Sequence, residues 1–430
     1  MADAFTTQPY ALSGEHGAAA ESAGLWRRSD VRLSLAFMAL TCFGLVMAVS
    51  AAGSGGFTVA VLKRLALTGL GIGAFVLGTS VNYQRWRRHQ LALLALGLVC
   101  LAAVFVPGVG VAMNGARRWI DLGLPVGFQP SEFVKIILCI WVAAYCDRYL
   151  GRLGSFVRGF LVPLGVLGVA CGLILLEPDF GTAALTGVVC TSVLLVMGTR
   201  FTFVLLAGAA SLPLMHQLVF GVPYRMRRVV AFLDPWADPR GSGYQLIQAL
   251  IAVGSGGTTG LGLGASRQKE AFLPGATNDF TFSIIAEELG FIGSVVLIAL
   301  FAFVLWECLK VVYRARDPFG FALALGLSVL LGVQAAAHMA VVTGCVPTKG
   351  LSLPFFSAGG SSLIGSLLAA GILVSIARSE EEPDSYPLKP WHDDMPGYQR
   401  LAERALGRVA EPVAGTVDRA LGLEGGGEDA

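Results

Sequence analysis

From residue 31 to residue 378 the chain alternates long apolar blocks with short polar links. A helix that crosses a bilayer needs about 20 predominantly apolar residues. About ten stretches qualify, centred near residues 42, 73, 98, 140, 167, 190, 210, 299, 331 and 369. The second is read as beginning after Lys63 and Arg64, and "MGTRF" (197–201) divides the sixth from the seventh. The pattern predicts an all-α polytopic membrane protein.

Basic residues in the short links orient it, because Lys and Arg collect on the cytoplasmic side. Arg27, Arg28 and Arg32 precede the first span; Arg85, Arg87 and Arg88 follow the second; Arg148, Arg152 and Arg158 follow the fourth. Arg200 follows the sixth, Lys310, Arg314 and Arg316 follow the eighth, and Arg378 closes the tenth. All fall on one side if both termini are cytoplasmic. The opposite links differ in kind: "NGARRWIDLGLPVGFQPSEF", "EPDFG", "GCVPTKGLSLPFFSAGGSS", and a loop of about 60 residues between spans seven and eight, about 219–281. Long connections without regular structure are uncommon unless functional. The unusual chemistry is therefore expected on the outer face.

Composition agrees. The chain has 430 residues, 55% hydrophobic and only 14% charged, against roughly a quarter charged in soluble proteins. The net charge of +2 comes with no basic-aromatic module, which argues against nucleic acid as a partner. Eight cysteines stand singly, without CxxC pairing, and read as small buried apolar residues. Residues 1–30 are polar and lack a signal-peptide core, so they read as an uncleaved cytoplasmic tail. Residues 379–430 turn acidic and then Gly-rich, the composition of a disordered cytoplasmic tail.

The outer links carry many cations: Arg117, Arg118, Lys135, Arg225, Arg227, Arg228, Arg240, Arg267, Lys269 and Lys349. Together they suit a phosphate or diphosphate ligand, although the commoner role of a single Arg near a helix end is an interfacial anchor. Glu132 and Lys135 stand three apart on one helical face, the spacing of a local ion pair. Acids are fewer and costlier near hydrocarbon. Asp279 precedes the eighth span, where partial burial would make it a better base; it reads equally as a helix cap. Glu287 and Glu288, one position apart, point about 100° apart on a helix, so one is expected to face the cavity and the other a neighbouring span. "EPDFG" reads as a rigid turn in which Asp179 caps a helix, with Glu177 beside it.

Three motifs are weak. "GSGGTTGLGLG" (254–264) follows no strand, lacks the GK[ST] ending and reads as a flexible loop. Gly69 and Gly73 form a GxxxG that suggests close helix packing. His16, His89, His216, His338 and His392 show no ligand spacing, so no metal site is expected from them. At this level the chain fits an enzyme acting on a lipid-linked diphosphate, and it also fits a transporter.

Several long motifs in one order carry a resemblance: "NGARRWIDLG", "FQPSEFVK", "EPDFGTA", "YRMRRVVAFLDPWADPRGSGYQLIQALIAVGSGG", "FLPGATNDFTFSIIAEELGFIG" and "VPTKGLSLPFFSAGGSS". Over roughly residues 30–378 the chain resembles the SEDS family of bacterial envelope growth, the FtsW and RodA proteins, and "PTKGLSLPF" is closer to the FtsW wording. The resemblance implies a peptidoglycan glycosyltransferase that polymerises lipid II on the outer face of the inner membrane at the division septum. It also implies a class B penicillin-binding protein and other division proteins as partners. On these motifs the family's essential Asp falls on Asp279, its important basic residues on Arg118, Lys135 and Lys349, and Glu132 on a further family position. Arg117 joins the expected diphosphate-binding set, with Glu287, Glu288 and Asp179 in support.

Three departures stand out: "ATNDF" where the family usually has "AHTDF", Ala358 where it usually has Tyr, and His338 where it often has Asn. The implied chemistry is an inverting displacement with Asp279 as base. A diphosphate leaves as a stable anion, so cations do the work that a second carboxylate does in a glycosidase. A divalent cation, Mg2+ or Mn2+, would serve the same end. The competing readings are a lipid II flippase and a scaffold that recruits partners through its tails. No intramembrane charge pattern or inverted repeat of the transporter kind is seen.

Overall fold

A computed structural model describes residues 28–51, 57–113, 116–121, 123, 127–221, 223–269 and 278–381. Both expected tails therefore lie almost wholly outside the described residues, as do Gly275, Ala276 and Thr277 of the "GATN" stretch.

The chain is a polytopic, almost wholly helical membrane protein. In order it forms α1 (Ser29–Ser50), α2 (Phe57–Ser80), α3 (Tyr83–Ala103), β1 (Gly110–Met113), β2 (Ala116–Ile120) and α4 (Pro130–Arg148). There follow α5 (Val162–Leu176), entered through a wider helical turn at Val157–Leu161, then α6 (Phe180–Met197) and α7 (Phe201–Phe220). Next come α8 (Pro223–Leu233), α9 (Tyr244–Ser255), α10 (Thr281–Arg314), α11 (Pro318–Val342) and α12 (Gly360–Glu381). Helices coincide with all the apolar blocks. Among the described residues seven (α1, α2, α5 together with its entry turn from Val157, α6, α10, α11 and α12) are long and apolar enough to cross a membrane. The helices α3, α4 and α7 occupy the remaining blocks, the first two carrying several charged residues.

Local chemistry starts and stops these helices. Asn82 caps α3 by accepting from the Gln84 amide, and Asp317 caps α11 by accepting from the Gly320 amide. Pro130 and Pro318 open α4 and α11, where a missing N–H costs nothing. Gly198, at φ 128°, ends α6 and makes the break at "MGTRF". In α11 and α12, 83% and 89% of the apolar stretch is buried, against 28% in α2. The first two are the centre of the bundle, and Leu62, Leu70, Leu91 and Leu96 on α2 and α3 are outward-facing apolar side chains for lipid.

Four expectations need correction. Lys63 and Arg64 lie inside α2, which starts at Phe57; Arg64 is tolerated there because three backbone carbonyls solvate its guanidinium. Gly69 and Gly73 meet no neighbour. The close approach on that helix is at Gly78, where a Cβ would lie 2.9 Å from Gly371 of α12. The first long outer link is not all coil: β1 and β2 pair antiparallel as a short hairpin. The long link between α7 and α10 is not structureless either, since it contains α8 and α9.

The most consequential departure is in α10. Its 34 residues would run about 50 Å as one helix, but Gly290 (φ 67°, ψ −162°) breaks it near the loop-rich end. The amides and carbonyls freed by the break pair with the glycine-rich segment after α9. Leu261 and Gly262 donate to the carbonyls of Glu287 and Glu288, and Phe291 and Ile292 donate to those of Gly257 and Thr258. A Cβ at Gly260 would lie 2.1 Å from the Glu288 carbonyl. "GSGGTTGLGLG" is thus neither a phosphate cradle nor a free loop. Its glycines let one backbone lie close against another and take up the hydrogen-bonding groups that the break frees.

Candidate active site

The motif-bearing links converge at one end of the bundle, beyond α1, α5 and α11. In the hairpin Arg118 is the extra residue of a bulge, between the Val111–Trp119 and Ala112–Arg117 pairs. Arg117 is exposed; Arg118 turns inward and binds the "EPDFG" turn. Its Nε donates to the Glu177 carbonyl at 2.8 Å and its Nη2 to that of Pro178 at 2.7 Å, with Asp179 3.9 Å from Nη1. Asp179 does cap α6, accepting from the Thr182 amide and hydroxyl. The Glu177 carboxylate is buried with no hydrogen-bond partner among the described residues. Burial, then the charge of Asp179, push its pKa up to about 8, with Arg118 opposing.

Asp279 sits one residue before the cap of α10, against the "PTKG" turn: a Cβ on Gly350 would lie 3.3 Å from its Oδ2. Burial raises its pKa above the ordinary Asp value. Arg228 and Arg118 pull it down, and Asp179 adds to the rise. Arg228, on α8, donates to the Thr348 carbonyl at 3.2 Å and so ties the long link to the same turn. Lys349 extends over the Phe180 ring, 5.0 Å from its centroid, and burial lowers its pKa. Arg225 lies over the same ring at 5.9 Å. One partly buried carboxylate thus stands among Arg118, Arg228 and the Lys349 turn.

The other expected residues divide. Lys135 and Glu132 form the expected pair at 3.0 Å, but Lys135 is buried and also donates to Gln334 of α11 at 3.0 Å. It is held inside the bundle. Glu288 does meet a neighbouring span, at Ser50 of α1. Glu287 and Glu288 are both buried, and both accept from the segment that folds back over α10. Glu287 takes the Ser266 hydroxyl and the Arg267 amide, while Glu288 takes the Ser266 amide, Lys269 at 3.1 Å and the Ser50 hydroxyl of α1. They anchor the long link and do not touch Asp279.

His338 explains its own presence. Its Nε2 accepts from the Phe282 amide at 3.4 Å, so Nδ1 carries the proton and donates to the Leu351 carbonyl at 2.7 Å. The ring joins α11, the start of α10 and the "PTKG" link. Two residues important to the site had no prominence in the sequence. Arg228 was one cation of many, its only signal the basic run "YRMRR". Glu177 was read as part of a turn. Among the described residues no three His, Cys, Asp or Glu side chains are gathered to hold a metal ion. Among the described residues the divalent cation therefore has no assembled site.

The chain matches the family model for FtsW, RodA and SpoVE, described as cell cycle protein, over residues 31–382. It is 42% identical over 358 residues to the probable peptidoglycan glycosyltransferase FtsW of Geobacter sulfurreducens, covering 81% of this chain and 95% of that one. It is 38% identical over 316 residues to the stage V sporulation protein E of Bacillus subtilis, covering 74% and 86%. Among solved structures it resembles a chain from work on how a peptidoglycan synthase complex coordinates polymerization and crosslinking. That likeness has a TM-score of 0.68 at 28% identity and covers 81% and 98%. It also resembles the rod shape determining protein RodA of Thermus thermophilus, with a TM-score of 0.60 at 27% identity, covering 81% and 97%.

Proposed function

The chain belongs to the FtsW/RodA/SpoVE family of cell cycle proteins, and on that premise we propose that it is a peptidoglycan glycosyltransferase polymerising lipid II, with Asp279 as general base. The observation that carries the catalytic part is one partly buried carboxylate, raised in pKa, beside Arg118, Arg228 and the Lys349 turn.

Asp279 takes the proton from the 4-hydroxyl of the acceptor's terminal N-acetylglucosamine. The oxygen attacks the anomeric carbon of the growing glycan from the face opposite the leaving group. The bond from that carbon to the diphosphate breaks with inversion, and the electron pair departs with undecaprenyl diphosphate. Burial makes Asp279 a stronger base than a surface Asp, and the neighbouring guanidiniums keep it ionised often enough to act. Arg118 and Lys349, with Arg117 at the entrance, hold the diphosphate and stabilise the charge it gains. Lys135 and Glu132 hold α4 against α11 beneath the site.

The loop-rich end is the outer face of the bacterial inner membrane, both termini are cytoplasmic, and the site of action is the division septum. Residues 31–378 make up the working domain, flanked by tails at 1–30 and 379–430. A class B penicillin-binding protein crosslinks the product, and other division proteins join the pair.

The test is the purified chain in vesicles with lipid II and the cognate transpeptidase. Glycan strands are expected. Translocation of labelled lipid II without polymer would instead support a flippase, a reading that no feature of the site favours.

A further inference from the structure

Joining two lipid-linked sugars requires a place for each anionic headgroup, and the cations around Asp279 account for one. A cavity of about 510 Å³, lined by Asn278 and Thr281 but not by Asp279 or the cations around it, lies between α1, α2, the start of α10 and the 356–358 turn. Its walls include Met47, Leu67, Ile284 and Phe356, and among the described residues its charged lining is Lys63 and Arg64, with no acid.

Arg64 is the telling residue. It is only 5% exposed. Its guanidinium donates to the carbonyls of Ser357 at 2.6 Å and of Phe355 and Phe356 at 3.2 Å. Its Nε finds no partner among the described residues. Neutral carbonyls solvate a guanidinium but leave its charge uncompensated, and a buried charge is costly unless an opposite charge meets it. Lys63 adds a second positive charge one residue away, on the exposed side of α2. The turn that binds Arg64 is itself strained, with Phe355 at φ 69°, a conformation that a bulky residue adopts only when its surroundings impose it.

The cavity also has a hydrocarbon side and a route to the reacting centre. Leu62, Leu65 and Leu70 are exposed on α2, the helix that carries Lys63 and Arg64, and give a lipid chain an apolar surface along which to approach. Asn278, the residue before Asp279, lines it, as does Ala358. These are two of the positions where this chain departs from the wording of the family it resembles, and a small residue at 358 leaves the space open.

We propose that this cavity is the site of the second substrate. It binds the diphosphate of a polyprenyl-diphosphate-linked sugar on Lys63 and Arg64, rests the first isoprene units on Met47, Leu67 and Ile284, and delivers the sugar past Asn278 to Asp279. The inference rests on the glycosyltransferase reading and adds a second ligand site to it.

Binding can be read without turnover. Full-length Asp279→Asn protein in nanodiscs is irradiated with a diazirine-bearing polyprenyl-diphosphate sugar, and the labelled peptides are mapped. Label is expected on α1 and α2, reduced about tenfold by Lys63→Gln, which removes a charge-assisted contact, and by Ala60→Trp, which fills the cavity. Excess phosphatidylglycerol should leave the label in place. In the otherwise wild-type background both substitutions should raise KM for lipid II about tenfold, with kcat little changed. Lys63 is exposed, so Lys63→Gln keeps the test valid if Ala60→Trp does not fold. Unchanged labelling and KM in Lys63→Gln would overturn the proposal, as would label lost equally to phosphatidylglycerol, which would mean ordinary phospholipid fills the cavity. If the unsubstituted protein makes no glycan at all, the functional reading itself fails; if it makes glycan and both variants keep their KM, only the second site fails.

Discussion

Asp279 and Gly350 lie against each other, with a Cβ at position 350 coming 3.3 Å from Oδ2 of the carboxylate. The contact joins the start of α10 to the turn that carries Lys349, and a side chain on the turn would crowd the carboxylate. Gly350→Val is expected to push the carboxylate aside and lower polymerisation by about 100-fold, since a misplacement of 1 Å costs that much. Melting of the purified protein should be unchanged, and a fully active Val variant would mean the contact has no role.

The pH dependence follows from the neighbours of Asp279. A base must be ionised to act, so activity falls as pH drops through its pKa, which burial places above the ordinary Asp value. Arg228 is the first of the charges that pull that value down. Arg228→Gln should therefore move the acidic limb of the kcat/KM profile to higher pH. A limb that stays in place would show that Arg228 does not act on this carboxylate.

Much of the architecture was legible because the bilayer imposes a coarse rule. An apolar block of about 20 residues has few alternatives to a helix, and helices stand at every expected centre. The link between α7 and α10 was less legible because its long-range contacts override local pattern. Even so, "YQLIQALIAVGS" spaces Leu246, Ile247, Leu250 and Ile251 at helical intervals before a glycine, a signal that favours the helix found there. Gly290 was invisible in kind: one glycine in an apolar helix says nothing until Gly260 is seen beside it. For the site, motif order pointed to Asp279, Arg118 and Lys349. The burial of Lys135, the shared anchoring role of Glu287 and Glu288, and the part of Arg228 depend on which elements meet.

The buried Glu288–Lys269 pair gives a stability prediction. Lys269→Met leaves Glu288 buried without its cation, and breaking such a pair typically costs about 3–5 kcal/mol. The double variant Lys269→Met, Glu288→Gln should recover much of the loss. Chemical unfolding in detergent reads both, and additive losses would mean the two residues are not coupled.

Gly290 should resist substitution. Its conformation (φ 67°, ψ −162°) belongs essentially to glycine, and a Cβ would lie 2.3 Å from the Gly260 amide nitrogen. Gly290→Ala is expected to lower the melting temperature and expose the 256–262 segment to proteolysis. An Ala variant as stable as the parent would place the break elsewhere.

Glu177 carries its own signature. Its folded pKa of about 8 is above the ordinary value of 4.5, so the folded protein holds a proton that the unfolded chain releases. The stability linked to that proton is full below about 4.5 and is lost as pH rises toward 8. Glu177→Gln should abolish this decline, so the variant melts higher than the parent at pH 8 and comparably at pH 4. Parallel melting curves across that range would contradict a buried, protonated Glu177.

The most direct test of the account is single-turnover glycan synthesis by Asp279→Asn protein, with lipid II binding measured on the same sample. Asn keeps the shape and the contact with Gly350 but cannot take a proton. The account predicts a rate lower by roughly 100- to 10,000-fold with binding retained. Polymer made at the parent's rate would contradict it.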